Sequence, residues 1–353
     1  MRGKSLNSTQ PPPGAVQSVQ VLRGLAAMMV IFSHVIDNFA SATALGENGD
    51  ILTFGVDLFF VISGFIMVHS TSNRKITARQ FMLARITRIV PLYWLALLAT
   101  FVLLALTGGR LPAEVELLQA ALFIPYLDPG SGAFLPFLPV GWTLNYEMLF
   151  YLLFAATIAI GGLRQLLAIS IIFVLLVVCR IVFDPQTAIG FRFTSPLFLE
   201  FTMGMAVALI WQRARASWRP LSGLGLLAAG VIGLFVLHPL HADFGLPRFV
   251  AHGGPATLVV AGALLLEPWF QTRILRPFRA LGDASYSLYL GHALPLIFVP
   301  GLLPATWDIW IRASLMTGVC VLFGIASYRL VERPVQVTLR AWTKAKPGRV
   351  LTV

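Results

Sequence analysis

The sequence predicts an all-α polytopic membrane protein with about ten transmembrane helices and both termini in the cytoplasm. Three observations carry that expectation. Of the 353 residues, 57% are hydrophobic and only 12% are charged, and the mean hydropathy is +0.81; a soluble domain carries about 25% charged residues. Apolar stretches close to membrane length recur along the whole chain. These stretches do not alternate apolar and polar residues, as the strands of an outer-membrane barrel would.

The elements follow in order. Residues 1–18 contain "QPPPG" and few apolar side chains, so they read as a flexible cytoplasmic tail. Apolar spans are expected over residues 19–39, 52–69, 89–107, 141–160, 165–183, 196–212, 221–238, 254–270, 284–303 and 309–330. Each can cross a hydrocarbon core about 30 Å thick, some only with tilt. Leu117–Tyr126 is too short to cross and reads as re-entrant or interfacial. The transmembrane domain is thus expected over 19–333, followed by a basic cytoplasmic tail over 334–353, with no soluble domain at either end. A signal peptide cleaved near Ala40–Ala42 is the weaker reading of the first span, because His34 interrupts the apolar core and the preceding segment is unusually long.

Most of the 26 lysines and arginines fall in segments that are cytoplasmic if the N-terminus is inside. They cluster at Arg74–Arg88, Arg213–Arg219, Arg273–Arg279 and Arg329–Arg349, which satisfies the positive-inside rule. The formal charge of +11 is therefore topological, and nucleic acid is not needed to explain it. Cys179 and Cys320 both lie in apolar segments and read as small packing residues.

Against this background the polar residues inside the spans stand out. Arg23 and His34 are eleven positions apart. At 100° per residue they return to one helix face, separated by about 16 Å of rise. A snorkelling arginine and a carbonyl-bonded histidine would be the bland account; a shared face toward a wet cavity is the functional one. Glu147, in "GWTLNYEMLFYLL", is placed by its span about two turns below the outer end, at a depth similar to His34. A carboxylate there could orient the imidazole and raise its basicity. Asp57, in "FGVDLFFVISGFIM", lies near the outer end of the second span as a cavity residue or an interfacial anchor. Arg85 and Arg88 share one face at the cytoplasmic mouth of the third span, and guanidinium forks suit phosphate or lipid head groups. His292 sits mid-span above Tyr286 and Tyr289. His238, His241, Asp243 and His252 share one expected outer loop, but their spacing matches no standard zinc pattern.

Taken together, "VLRGLAAMMVIFSH", "GVDLFFVISGFIM", "RITRIVPLYW", "WTLNYEMLFY" and "LGDASYSLYLGH" resemble the acyltransferase 3 family of bacterial inner-membrane O-acyltransferases, in the family's order. Its R-x10-H pair is met by Arg23 and His34, its W-x-L-x-x-E element by Trp142, Leu144 and Glu147, and its R-x-x-R by Arg85 and Arg88. The opening around Gln20–Gly24 is most similar to the exopolysaccharide-acetylating branch, and the extra extracytoplasmic esterase domain of some members is not expected. The resemblance implies transfer of an acetyl group from cytoplasmic acetyl-CoA to a hydroxyl of an exported polysaccharide or its lipid-linked precursor. It implies His34 and Glu147 as the catalytic pair, with Arg23, Arg85, Arg88, Asp57, Trp142 and His292 binding substrate or CoA. No permanently bound cofactor or metal is expected, since acetyl-CoA enters as a substrate. Membrane lipids are partners, and a second copy of the chain is compatible with this reading.

A proton-coupled carrier of a lipid-linked sugar or small solute is the competing class, because a buried arginine, histidine and carboxylate also describe a transport site. The basic mouth discriminates, since a proton-coupled carrier has no need of a phosphate clamp.

Overall fold

The computed structural model describes residues 16–40, 50–72, 75–214 and 220–344. The tail before residue 16, the Ala40–Ala42 side chains and basic residues such as Arg74, Arg215 and Arg219 lie outside what is described. Among the described residues the chain is helical, with no strand. The helices are α1 (Gln17–Ala40), α2 (Phe54–Thr71), α3 (Ala78–Thr107), α4 (Glu114–Ala121), α5 (Trp142–Thr157), α6 (Gly162–Phe183) and α7 (Phe198–Ala214). They continue with α8 (Pro220–Phe244), α9 (Gly254–Leu265), α10 (Arg276–Asp283), α11 (Ser285–Gly291), α12 (Ala293–Phe298), α13 (Ile309–Ser327) and α14 (Arg333–Lys344).

Among the described residues, seven stretches are long and apolar enough to cross a membrane: Gln17–Phe39, Ile51–Thr71, Ala78–Thr107, Gly162–Phe183, Ala188–Arg213, Pro220–Phe244 and Ile309–Leu339. The chain is a multi-pass membrane protein. The other three expected spans are shorter helices. These are α5, α9 with a π-helical turn at Phe249–Gly253 before it, and the α11–α12 pair, which breaks at His292. Each of the three carries polar residues into the interior. Among the long helices, α6 and α8 leave most of their apolar surface outward, as fits helices whose solvent is lipid.

Local sequence chemistry sets several boundaries. Thr77 caps α3 by accepting from the Gln80 N–H at 3.2 Å, while the Gln80 side chain accepts from the Thr77 N–H at 3.1 Å. The third helix therefore starts at Ala78, eleven residues before the expected span, and Arg79, Arg85 and Arg88 are helical. At the start of α1 the Glu267 carboxylate receives the backbone N–H groups of Gln17 and Ser18 at 2.6 and 2.9 Å. It satisfies two of the donors a helix start leaves open. The expected outer loop holding His238 and His241 is instead the last part of α8, which runs through Pro239 to Phe244.

Two features position the interior. First, α2 and α7 touch backbone to backbone: a Cβ on Gly64 would lie 2.0 Å from the Phe201 carbonyl oxygen, and one on Gly204 would lie 1.9 Å from that of Val61. Only glycine fits at either point. Second, the chain turns back after α3. Gly108 takes the left-handed conformation, φ +71°, and the C-terminal carbonyls of α4 accept from Tyr93 (3.1 Å) and Trp94 (2.9 Å), near the middle of α3. Gly141, at the entrance of α5, lies against the same Tyr93 ring. Helix α5 thus begins deep, about 21 Å back along α3 from its last residue.

Candidate active site

Helices α1 and α11 run side by side in the same direction. Contacts between them and the turn before α11 advance together: Gln20 against Gly282, Arg23 Nη2 donating to Ser285 Oγ at 2.8 Å, and His34 against His292. The arginine and the histidine therefore do share one face of α1, and that face is read by one partner strand of sequence, "LGDASYSLYLGH".

His34 Nδ1 lies 3.0 Å from the Val30 carbonyl oxygen and 3.2 Å from His292 Nε2. His292 in turn places its own Nδ1 3.0 Å from the Leu288 carbonyl. A carbonyl only accepts, so each Nδ1 carries a proton. His292 Nε2 is then a lone pair, and the His34 Nδ1–H is forked between it and Val30. That assignment, made from the hydrogen-bond pattern, leaves His34 Nε2 unprotonated. His292 is fully buried, while His34 is half-buried.

Glu147 does not meet His34. Its carboxylate accepts from Ser63 Oγ at 3.2 Å and from the Tyr151 hydroxyl by a short bond. The expectation of equal depth fails because α5 starts deep. Tyr289 OH reaches Val140 O at 2.8 Å and lies 2.8 Å from Thr143 Oγ1. Glu147 lies one turn inward of Thr143, and His292 nearly one turn outward of Tyr289. The Tyr289 ring, edge-on to His292 with centroids 6.2 Å apart, separates the two levels. Glu147 belongs instead to an inner group within electrostatic range of Arg23 and Arg85.

The R-x-x-R arginines also part company. Arg85 is 4% exposed and faces inward, its guanidinium 5.5 Å from the Phe81 ring centroid and 6.0 Å from that of Tyr151. Arg88 is half-buried and lines a crevice with Thr87, Glu332 and Gln336. The Glu332 carboxylate, in the π-helical turn Tyr328–Glu332, accepts from Ser287 Oγ at 2.5 Å and from Gln336 at 2.9 Å. The inner group is thus Arg23, Arg85, Arg88, Glu147 and Glu332, a mix of charges around a shared interior.

Asp57 is fully buried and closed off. Arg248 grips it with two bonds, Nε to Oδ1 at 3.0 Å and Nη2 to Oδ2 at 2.8 Å, and also reaches Thr53. His252 Nδ1 stands 3.7 Å from the same carboxylate, and His252 Nε2 is 3.0 Å from His238 Nδ1. Asp57 is a brace between α2 and the turn before α9 rather than an open binding group. Trp142 is covered as well: Arg192 lies 5.2 Å over its ring and donates to the Phe134 carbonyl. Sequence reasoning missed Arg192 and Arg248, which read as outer loop charges.

The acyltransferase domain family matches residues 16–329. The exopolysaccharide production protein ExoZ of Rhizobium meliloti is 38% identical over 84% of this chain and 93% of its own. The putative peptidoglycan O-acetyltransferase YrhL of Bacillus subtilis is 26% identical over 89% of this chain, and O-acetyltransferase OatA of Staphylococcus aureus 24% over 92%. The chain spans only 54% and 58% of the length of those two. No solved structure gives a significant match. With the family matched over nearly the whole chain and its R-x10-H residues seated together on one seam, the protein belongs to the acyltransferase 3 family of membrane acyltransferases.

Proposed function

We propose that this enzyme transfers an acetyl group from acetyl-CoA, taken up at the cytoplasmic face, to a hydroxyl of an exported polysaccharide or its lipid-linked precursor. The chain would lie in a bacterial inner membrane and cross it ten times, the three shorter elements completing the seven long helices, with both termini inside. The observation that carries the chemistry is the half-buried His34 ring with Nδ1 3.0 Å from the Val30 carbonyl and 3.2 Å from His292 Nε2, which in the neutral imidazole leaves Nε2 a lone pair. Similarity to ExoZ across 93% of that protein supports an exopolysaccharide acceptor.

Two routes use that nitrogen. In one, His34 Nε2 takes the proton of the sugar hydroxyl as its oxygen attacks the thioester carbonyl; the C–S bond breaks and the CoA sulfur leaves, receiving the proton from His34. In the other, Nε2 attacks the thioester carbonyl, the C–S bond breaks and CoA leaves as the thiolate; the sugar oxygen then takes the acetyl group as the N–C bond breaks, and its proton is released to balance the thiolate. Arg88, at the accessible crevice, suits the CoA phosphates. Arg23, about 16 Å inward of His34 along α1, suits the pantetheine arm of the donor. Glu147 balances the buried guanidinium of Arg85 and holds Tyr151 and Ser63.

The test is transfer by purified protein in nanodiscs from radiolabelled acetyl-CoA to the polysaccharide fraction of a deletion strain. Alkali-labile label on the glycan is expected. An intact enzyme that leaves the glycan unlabelled overturns the reading. Label on the protein without acceptor, released by hydroxylamine and absent in His34→Ala, selects the acyl-histidine route. Orientation is checked on a Cys-free background, where outside labelling at Ser72 but not at Asn48 would reverse it.

A further inference from the structure

Both routes place positive charge on the His34 ring, either as a proton or as an acyl group on Nε2. The question is what receives that charge inside the protein, since Glu147 is engaged elsewhere and Asp37, within electrostatic range of the ring, is itself exposed. We infer that His292 is the positioning residue for His34: a neutral second imidazole, fixed as a hydrogen-bond acceptor by its own helix, that holds the Nδ1 proton of His34 and disperses the charge formed during transfer. This rests on the acyl-transfer reading above.

The geometry supports each part. His292 Nδ1–H is committed to the Leu288 carbonyl at 3.0 Å, so Nε2 can only accept. The ring is fully buried, with Tyr289 edge-on at 6.2 Å and His34 tilted 33° across it at 5.1 Å. Turning it over would strand a polar nitrogen, which is costly where no water reaches. Val30 O alone is a weaker partner, because it sits in the α1 ladder and already receives a backbone N–H. The forked bond gives His34 two acceptors when it becomes cationic, and a bond to a charged donor is roughly twice as strong as a neutral one.

A neutral partner also has a physical advantage over the expected carboxylate. A carboxylate buried against His34 would need desolvation in every resting enzyme. An imidazole adds no resting charge and still accepts. His292 gains and loses no proton through the cycle, so the balance of either route is unchanged.

The experiment compares His292→Leu, which keeps volume without an acceptor, with His292→Gln, whose amide oxygen ends near the Nε2 position. Both are purified in nanodiscs and checked first for wild-type melting. The leucine variant should lose roughly ten- to a hundredfold in kcat, with KM for acetyl-CoA shifted less than about twofold, and glutamine should recover most of the loss. Wild-type kcat in His292→Leu, a loss confined to KM, or glutamine no better than leucine would overturn the inference. Should leucine fail to fold, His292→Asn replaces it, because its shorter amide ends near Nδ1 and leaves His34 without the acceptor; the same outcomes apply. If His34→Ala itself transfers acetyl normally, the acyl-transfer reading falls. If His34→Ala is inactive and His292→Leu is not, only the positioning role falls.

Discussion

Two pairs of histidines in this molecule make nearly the same contact in opposite surroundings. His34 and His292 approach to 3.2 Å, and His238 and His252 to 3.0 Å. In the first pair both rings anchor on carbonyls of their own helices. In the second, His252 stands against Asp57, whose carboxylate is gripped by Arg248. The second pair is embedded in fixed charge that clamps α2 to the start of α9. On the proposed reading, what separates a base from a brace is therefore not the imidazole contact. It is whether one nitrogen is left with a lone pair on an accessible ring while the other is held.

The largest expected effect breaks that contrast directly. His34→Ala should abolish transfer while the protein melts as wild type, whereas His252→Ala should keep measurable transfer and lose thermal stability. Equal transfer rates in the two purified variants would erase the distinction. Next, Asp57→Asn removes the carboxylate that Arg248 grips with two bonds. Removing one partner of a buried pair costs about 3–5 kcal/mol, and less here because Arg248 keeps part of its surface open. A clear drop in melting temperature is expected, with kcat of the folded fraction retained; an unchanged melting curve would deny the brace.

A smaller effect tests the inner group. Arg88→Gln should raise the KM for acetyl-CoA by roughly tenfold, the worth of one charge-assisted bond, with kcat little changed. An unaltered KM would leave Arg88 as a lipid-facing anchor. The smallest effect lies outside the spans, where Arg110 ties Asp128 (2.5 Å) to Glu116 (3.1 Å). Hydrogen bonds from Ser131, then the Arg110 guanidinium, hold the Asp128 carboxyl down at about 2. A carboxylate lowered in the folded state stabilises above its ordinary range, and the gain is lost as pH falls through about 2. The turn should thus hold at every pH above about 4. Asp128→Asn should loosen it slightly at neutral pH, visible as faster labelling of a cysteine at Ser131 and without effect on transfer.

Much of the fold was legible in the residues. Apolar runs marked the long helices, and the 100° arithmetic put Arg23 and His34 on one face, as the α1–α11 seam shows. The start of α3 was also legible: Thr77 and Gln80 form the capping pattern that moves it back to Ala78. Depth was not. Nothing in the periodicity of "GWTLNYEMLFYLL" reports that the chain has already descended along α3 before Trp142, so Glu147 looked level with His34. Partnerships across long separations were equally hidden. Arg248 finds Asp57 191 positions away, and His292 finds His34 across 258. Each is a single polar residue whose local sequence suits a solvent-facing end or a packing site as well.

The glycine contact between α2 and α7 has a consequence for how the protein is made. Gly64 and Gly204 are 140 positions apart, and each is seated against the other helix's backbone. While the ribosome is still feeding the chain into the bilayer, α2 can pack on α1, where Gly55 meets Ala26, but its other face waits until α7 has been threaded. His34 waits longer still, with Val30 as its only acceptor until the helix bearing Ser285 arrives. The His34–His292 pair therefore forms late in synthesis, and a nascent chain stalled before α11 enters the membrane without it.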